Sequence, residues 1–177
     1  MWRYLQPDLY LTSIYRLPLS HLRDRGIKYL ILDLDNTLVR WDSAQLPARL
    51  KEWVSRVRGA GFRMCIVTNN SGPRVTALAE AMGVPVLAAA AKPRRRAFRG
   101  AMDIMGARPA ETAVVGDQLF TDVLGGKRLG LYAILVRPLA AREFVATRLM
   151  RRLERWVLAR LDLLPADTAQ QPGPENR

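Results

Sequence analysis

Short apolar runs and amphipathic segments alternate along most of the chain. Five apolar runs predict strands: 29–32, 62–67, 84–91, 112–115 and 132–136. The run 29–32 is typical of a strand buried on both faces, and 84–91 is the weakest of the five. Between them, apolar residues recur at helical spacing, as at Leu50, Trp53 and Val57, and glycines follow these segments. Such alternation indicates βαβ units and a central parallel sheet of about five strands with helices on both faces. The pattern therefore predicts an α/β fold, a Rossmann-like three-layer sandwich.

The same pattern divides the chain into three parts. Residues 1–140 contain the alternating strands and helices, preceded by an N-terminal extension in which residues 20–25 predict a short helix. Residues 141–164 predict one long basic helix, with Trp156 in its apolar stripe and arginines such as Arg152 mostly off that stripe. The composition of residues 165–177 predicts a disordered tail.

Length and composition are those of one globular domain. The chain has 177 residues, of which 49% are hydrophobic. Its single cysteine, Cys65, lies in an apolar run, which indicates a buried structural thiol and excludes a disulfide within the chain. No run approaches the ~18 apolar residues of a membrane span, and residues 1–8 lack the apolar region of a signal peptide. We therefore expect a cytoplasmic protein.

The net charge limits the classes of partner. Lys and Arg number 28 against 16 Asp and Glu, which gives a formal charge of +12. Such a protein is attracted to polyanions, among them nucleic acid, anionic lipid surfaces and phosphorylated substrates. Charge alone does not choose among these partners.

Two carboxylates, Asp33 and Asp35, follow the apolar run 29–32. They lie at the end of a predicted strand, where open α/β sheets bind ligands. Carboxylates this close raise each other's pKa unless a cation lies between them or their environments differ. A divalent metal would resolve the conflict. The alternative is an acidic loop that caps the next helix, and an isolated Asp-x-Asp does not separate the two.

Further polar residues follow the other predicted strands: Thr68, Lys92, Asp117 and Asp122. The carboxyl ends of parallel strands meet at one edge of a sheet, so we expect these side chains to converge with the acidic pair. Phosphoryl transfer needs a nucleophile, a metal, donors for the phosphoryl oxygens and an acid for the leaving oxygen. Taken singly, Thr68 could be a helix cap, Lys92 a surface lysine and Asp122 a charge at a helix N-terminus. Taken together, they favour phosphoryl chemistry.

Four segments resemble the motifs of the haloacid dehalogenase-like (HAD) phosphatases. They are Asp33-Leu34-Asp35-Asn36-Thr37-Leu38-Val39, Thr68-Asn69-Asn70, Lys92-Pro93 and Gly116-Asp117-Gln118-Leu119-Phe120-Thr121-Asp122. Their order and spacing match over about residues 28–136. Residues 5–15 and the Asp-Asn-Thr form of the first motif more narrowly resemble the YqeG-like, subclass IIIA branch. That branch is similar to the mitochondrial phosphatidylglycerophosphate phosphatases.

The resemblance implies a catalytic role for four residues. Asp33 would be the nucleophile and would form an aspartyl-phosphate. Asp35 would protonate the leaving alcohol and then activate water. Thr68 would donate its hydroxyl to a phosphoryl oxygen, and Lys92 would neutralise the developing charge.

The resemblance also implies ligands for Mg²⁺. Asp33, Asp117 and the main-chain carbonyl of Asp35 would hold the ion, with Asp122 supporting them. Oxygen ligands suit Mg²⁺, and the lack of clustered His or Cys argues against zinc. Asn36 replaces the glycine of the more familiar motif, which weakens the guidance on substrate.

Candidate substrate contacts follow Thr68 directly in the sequence. Asn69 and Asn70 are the two residues that we expect to bind substrate. For the arginines of 94–96, a solvated face is the preferred interpretation.

The spacing of the motifs leaves no room for a large cap domain over the site. One helix and one strand fill each interval between Thr37, Thr68 and Lys92. An open site admits a phosphate on a lipid headgroup, a protein or a nucleic-acid end. The helix of 141–164 favours lipid, because anionic bilayers attract adjacent basic residues by about 1 kcal/mol each. Packing of that helix on the sheet or on another subunit is an equal alternative.

The sequence thus supports one main hypothesis. We expect a Mg²⁺-dependent phosphomonoesterase that converts phosphatidylglycerophosphate to phosphatidylglycerol, with peripheral association at the inner face of an anionic membrane. The alternatives are a soluble phosphatase of nucleotides, sugars or phosphoproteins, and a non-catalytic basic RNA- or protein-binding module. The complete acidic set argues against the module. Nucleic-acid binding and oligomeric state stay open.

Overall fold

The computed structural model, which describes residues 2–140, 145–161 and 163–167, is built around a parallel β-sheet. The strands are β1 (Leu9–Leu11), β2 (Tyr29–Leu32), β3 (Arg63–Val67), β4 (Val86–Leu87), β5 (Thr112–Gly116) and β6 (Tyr132–Val136). The helices are α1 (Leu19–Asp24), α2 (Ala48–Gly59), α3 (Pro73–Met82), α4 (Arg95–Met105), α5 (Leu124–Lys127) and α6 (Val145–Arg160). The sheet order is β1-β6-β5-β2-β3-β4, and every neighbouring pair is parallel.

Strand β2 lies at the centre of the sheet, between β3 and β5. Leu30 is opposite Met64 of β3 and Ala113 of β5. All residues of β2 except Tyr29 are buried, because helices cover both faces of the sheet. This central strand brings Asp33 to the carboxyl edge of the sheet.

Two apolar cores fill the spaces between the sheet and the helices. One packs α1, α2 and α3 on one face and includes Leu30, and the other packs α4, α5 and α6 on the opposite face and includes Ile31. These neighbours enter different cores because successive strand residues point to opposite faces. The predicted three-layer α/β fold is confirmed, and the described residues contain no large cap domain.

The sheet has six strands where the sequence predicted about five. The additional strand is β1, which pairs with β6 and places Leu9 opposite Ile134. Its three residues are too few for a periodicity to be recognised. The carboxylate of Asp8 accepts hydrogen bonds from Ala133 N at 2.7 Å and Lys127 Nζ at 2.8 Å. The N-terminal extension therefore completes the edge of the sheet.

The strand expected over 84–91 is reduced to the two residues of β4. Beyond Leu87 the backbone turns, with positive φ angles at Ala89 (48°) and Ala91 (52°). Ala89 N donates to Asn70 O and Ala90 N to Thr68 O, each at 3.0 Å. The amides of this segment thus bind the loop after β3 instead of extending the ladder.

The C-terminal region is held on the domain. On α6, Val157 is 2% exposed within the second core, and Glu154 is buried beside it, whereas Leu153 and Trp156 are exposed. The predicted apolar stripe is therefore divided between the core and the surface. None of the described helices has the length and apolar character of a membrane span.

The segment after α6 returns to the first strand. Ala166 N donates to Tyr10 O at 2.7 Å, and the carboxylate of Asp167 accepts from Thr12 N at 2.9 Å and from the Thr12 hydroxyl. Residues 166 and 167 of the predicted disordered tail are thus bound to β1 and to the residue that follows it. Residues 141–144, 162 and 168–177 lie outside the described residues, so the predictions for those positions stay predictions.

Candidate active site

A cavity of about 200 Å³ opens at the carboxyl edge of the sheet. Asp33 and Asp35 line it from the end of β2, Thr68 from the end of β3, and Lys92 from the loop after β4. Parallel strands deliver these side chains to one edge, as expected for an open α/β sheet. The structure therefore brings the four predicted catalytic residues to a single cavity.

Lys92 lies between two carboxylates. Its Nζ is 2.6 Å from Asp33 Oδ1 and 2.6 Å from Asp122 Oδ1, and all three side chains are buried. Burial opposes the charged form of Lys92, but the charges of Asp122 and Asp33 outweigh that effect and raise its pKa. Burial raises the pKa of Asp33 to about 6, although Lys92 acts in the opposite direction. The ammonium therefore stays charged and holds the candidate nucleophile in place.

Three buried acids form a group suited to a cation. Carboxylate oxygens of Asp33, Asp117 and Asp122 lie within 4.8 Å of one another. Against the single charge of Lys92, these three carboxylates leave a formal charge of −2 (−3 + 1) in a buried site. Oxygen ligands and uncompensated negative charge are what a divalent cation of the Mg²⁺ type requires. The residues present thus fit a metal.

Hydrogen bonds from neighbouring residues hold Asp117 and Asp122 in position. Thr37 Oγ1 donates to Asp117 Oδ1 at 3.3 Å, and Gln118 N donates to Asp122 Oδ2 at 3.2 Å. A Cβ at Gly116 would lie 2.3 Å from the Asp122 carboxylate. Only glycine at position 116 lets Asp122 fold back toward β5, so this residue shapes the acidic group.

The carboxylate of Asp35 faces different partners from that of Asp33. It accepts hydrogen bonds from Arg74 Nη2 at 2.5 Å, Asn70 Nδ2 at 2.7 Å and Thr68 Oγ1 at 3.4 Å. The chain turns just after Asp35, where Asn36 has a φ of 62°. Glycine favours this conformation and asparagine tolerates it, which accounts for asparagine at this position. The two acids are therefore placed for separate tasks.

Asn69 and Asn70, the predicted substrate contacts, both line the cavity but also hold neighbouring residues. Asn69 Oδ1 accepts from Lys92 N at 2.6 Å, and Asn69 Nδ2 donates to Lys92 O at 3.4 Å. Asn70 binds Asp35 through its amide. These amides tie the loop after β3 to the lysine and the second acid, and their contact with substrate stays a prediction.

Arg74 is a site residue that the sequence reasoning missed. Besides its ion pair with Asp35, its guanidinium donates to Ser43 O at 2.8 Å and Arg40 O at 3.2 Å. It thereby ties α3 to the loop before α2. A cation near the start of a helix opposes the helix dipole. Arg74 lies in the first turn of α3, where the helix dipole disfavours a positive charge. An arginine at that position is the sequence signal that could have identified this residue.

Glu154 of α6 is a second residue that the sequence reasoning missed. Its Oε1 accepts a hydrogen bond from Leu119 N at 2.7 Å, and its side chain is buried. Leu119 begins the turn of residues 119–123, which carries Asp122 and starts two residues after Asp117. Glu154 is the one acid among the basic and apolar residues of 145–160, and that isolation is its sequence signal.

Comparison with known proteins gives one family. Residues 14–130 match the family model of the haloacid dehalogenase-like hydrolases. The chain is 39% identical over 159 residues to the probable phosphatase YqeG of Bacillus subtilis (strain 168), an alignment that covers 90% of this chain and 92% of that protein. It is 27% identical over 180 residues to phosphatidylglycerophosphate phosphatase 1, chloroplastic/mitochondrial, of Arabidopsis thaliana, covering 93% of this chain and 51% of that protein.

A solved structure shares the fold. The cobalt-bound deoxy-D-mannose-octulosonate 8-phosphate phosphatase of Haemophilus influenzae matches with a TM-score of 0.51 and 14% identity. The match covers 76% of this chain and 89% of that one. At this identity the likeness concerns the fold alone.

Proposed function

The chain belongs to the haloacid dehalogenase-like hydrolases and is a phosphatase of that family, and we propose that it converts phosphatidylglycerophosphate to phosphatidylglycerol. The reaction proceeds through an aspartyl-phosphate on Asp33 and depends on Mg²⁺. The observation that carries the mechanism is the buried group in which Lys92 joins Asp33 to Asp122 beside the cavity. Since the protein is an enzyme, the non-catalytic binding module is set aside.

The first step transfers the phosphoryl group to the enzyme. A carboxylate oxygen of Asp33 attacks phosphorus, the bond from phosphorus to the leaving oxygen breaks, and Asp35 gives that oxygen a proton. Lys92 and the hydroxyl of Thr68 stabilise the charge on the phosphoryl oxygens. Asp35 suits this role because its carboxylate lines the cavity but is bound apart from the acidic group around Lys92.

The second step returns the enzyme to its starting state. Asp35 takes a proton from a water molecule whose oxygen attacks the phosphorus of the aspartyl-phosphate. The bond from phosphorus to Asp33 breaks, which releases inorganic phosphate and restores the carboxylate. Asp35 thus alternates between acid and base.

Asp33 and Asp117, supported by Asp122, would hold Mg²⁺. When bound, the ion neutralises negative charge on the phosphoryl group and on the acids around it. The −2 formal charge of the acidic group supports this part of the proposal, because burial makes uncompensated charge costly.

Three observations support a lipid substrate. Relatives that span most of this chain are phosphatidylglycerophosphate phosphatases by name. The cavity has no large cap among the described residues, so a substrate embedded in a membrane can approach it. Leu153 and Trp156 are 46% and 54% exposed on α6, in a chain of charge +12. An exposed Trp and Leu on a basic helix suit the surface of an anionic bilayer, where we place the enzyme.

Phosphate release from phosphatidylglycerophosphate in anionic vesicles tests this function. The assay compares the lipid with a panel of soluble esters (nucleotides, sugar phosphates and a phosphopeptide), each with Mg²⁺ or with EDTA. We expect release from the lipid that requires Mg²⁺ and exceeds release from every soluble ester. Hydrolysis of soluble esters but not of the lipid would support phosphatase activity and reject phosphatidylglycerophosphate as the substrate.

A further inference from the structure

Besides the active-site cavity, the structure contains a groove of about 580 Å³. The loop after β4 and the first turns of α4 form it, with Leu87, Gly100 and alanines as its apolar floor. Arg94, Arg96 and Arg99 line it, and all three are exposed; the exposed acid Asp103 lines it as well. The groove thus combines an apolar floor with a concentration of positive charge.

One segment of chain connects this groove to the active-site cavity. Residues 88–91 line the groove, and the backbone amides of Ala89 and Ala90 bind the loop of Thr68 and Asn70, which lines the cavity. The next residue, Lys92, contacts the candidate nucleophile Asp33. The chain that forms one wall of the groove therefore leads directly into the active-site cavity at Lys92.

The positive charge of the groove is only partly offset within the described part of the chain, since Asp103 is the single acid that lines it beside three arginines. No ion pair or side-chain hydrogen bond there involves Arg94, Arg96 or Arg99. The first turn of α4 contains no acid, and cations at the start of a helix oppose the helix dipole. The helix dipole therefore does not favour Arg94 and Arg96 at this position, and the solvated face expected from the sequence for residues 94–96 leaves their place beside the site unexplained.

We propose that this groove binds the phosphodiester and glycerol of the lipid substrate while its phosphomonoester lies at Lys92. The inference rests on the proposed function and adds the subsite that selects the substrate. Guanidinium groups match the oxygens of a phosphodiester in charge and geometry. The floor of Leu87 and the alanines contacts the glycerol backbone and the first carbons of the acyl chains. A simple phosphate ester reaches only the cavity.

Two matched triple variants test the groove. The first replaces Arg94, Arg96 and Arg99 with Gln. The control replaces the exposed arginines Arg23, Arg63 and Arg128 with Gln, removing the same charge near the amino ends of strands, at the opposite edge of the sheet. Thermal unfolding of both confirms that the fold is intact.

The substrates are dihexanoyl phosphatidylglycerophosphate, kept below its micelle concentration, and p-nitrophenyl phosphate. In the groove variant, kcat/KM for the lipid falls about tenfold or more relative to that for p-nitrophenyl phosphate, the loss expected for a charge-assisted hydrogen bond. In the control variant this ratio stays at the wild-type value. An equal fall in both variants would overturn the proposal, because net charge alone would then explain the preference.

A binding measurement separates this inference from the proposed function. Dihexanoyl phosphatidylglycerol carries the phosphodiester without the phosphomonoester, so we expect it to inhibit hydrolysis of p-nitrophenyl phosphate. Its inhibition constant should rise about tenfold in the groove variant and stay unchanged in the control. Inhibition without turnover of the phosphorylated lipid would reject the substrate and support the groove. Absence of inhibition of the wild type would overturn the groove, whatever the enzyme hydrolyses.

Discussion

Lys92 and Asp33 lie 2.6 Å apart, ammonium nitrogen to carboxylate oxygen, although 59 residues separate them in the chain. The same nitrogen reaches Asp122 at 2.6 Å, so one lysine connects the loops that follow β2, β4 and β5. Because all three side chains are buried, removing one of these charges takes a partner from a buried charge and destabilises the fold. Lys92, Asp33 and Asp122 therefore stabilise the fold as well as performing the proposed chemistry.

Replacing Lys92 with Met is expected to destabilise the protein and abolish activity. Two buried carboxylates lose their shared partner, and loss of one member of a buried pair costs about 3–5 kcal/mol of unfolding free energy. Urea denaturation in EDTA measures the loss of unfolding free energy, and addition of Mg²⁺ should restore part of the lost stability. Lys51→Met, on the exposed face of α2, is the control. A Lys92→Met protein as stable as the wild type in EDTA would contradict this account.

Glu154 is expected to position the metal-binding loop without touching substrate. Glu154→Ala leaves the amide of Leu119 without this acceptor, which costs about 1–3 kcal/mol of stability. It should also raise the Mg²⁺ concentration needed for half-maximal activity. Glu154→Gln keeps an acceptor oxygen and should restore the Mg²⁺ dependence of the wild type. Identical Mg²⁺ titrations for the Ala variant and the wild type would show that Glu154 is only structural.

The exposed face of α6 is expected to bind membranes. Deletion of the helix would not test this, because Val157 and Glu154 are buried in the domain. The double variant Leu153→Ala/Trp156→Ala should weaken binding to anionic vesicles about tenfold or more in a flotation assay, since each large apolar side chain contributes about 1.5–3 kcal/mol when buried. Ile104→Ala, at a residue 46% exposed on α4, is the control. Unchanged binding of the double variant would reject the membrane face.

Cys65 is expected to be inert in the folded protein. Its side chain is fully buried, and burial raises the pKa of its thiol to about 11. The reactive thiolate is therefore scarce at pH 8. Iodoacetamide should label Cys65 rapidly in urea and only slowly in buffer, as followed by mass spectrometry. Rapid labelling of the native protein would place the thiol at the surface.

Local patterns in the sequence predict most of the fold and much of the site. The apolar run of 29–32 identifies the central strand, and the polar residues after each strand identify Asp33, Thr68, Lys92 and Asp117. The fold prediction is confirmed, and these side chains meet because the carboxyl ends of parallel strands lie at one edge of a sheet. Their catalytic and metal-binding roles stay predictions.

The features that the sequence did not reveal depend on distant partners. Strand β1 exists because β6 offers a free edge, and β4 is short because the following amides bind the loop after β3. The pairs Arg74 with Asp35 and Glu154 with Leu119 join positions 39 and 35 residues apart. No local periodicity encodes such contacts, so only the folded structure identifies them.

Trapping the aspartyl-phosphate tests the central claim most directly. The enzyme is mixed with substrate and Mg²⁺, quenched in acid and reduced with borohydride, which converts an aspartyl-phosphate to homoserine. Mass spectrometry of the peptide that contains residues 28–39 should then find homoserine at position 33, and the inactive Asp33→Asn variant should show none. Homoserine at another aspartate, or undiminished phosphate release by Asp33→Asn, would contradict the assignment of Asp33 as the nucleophile.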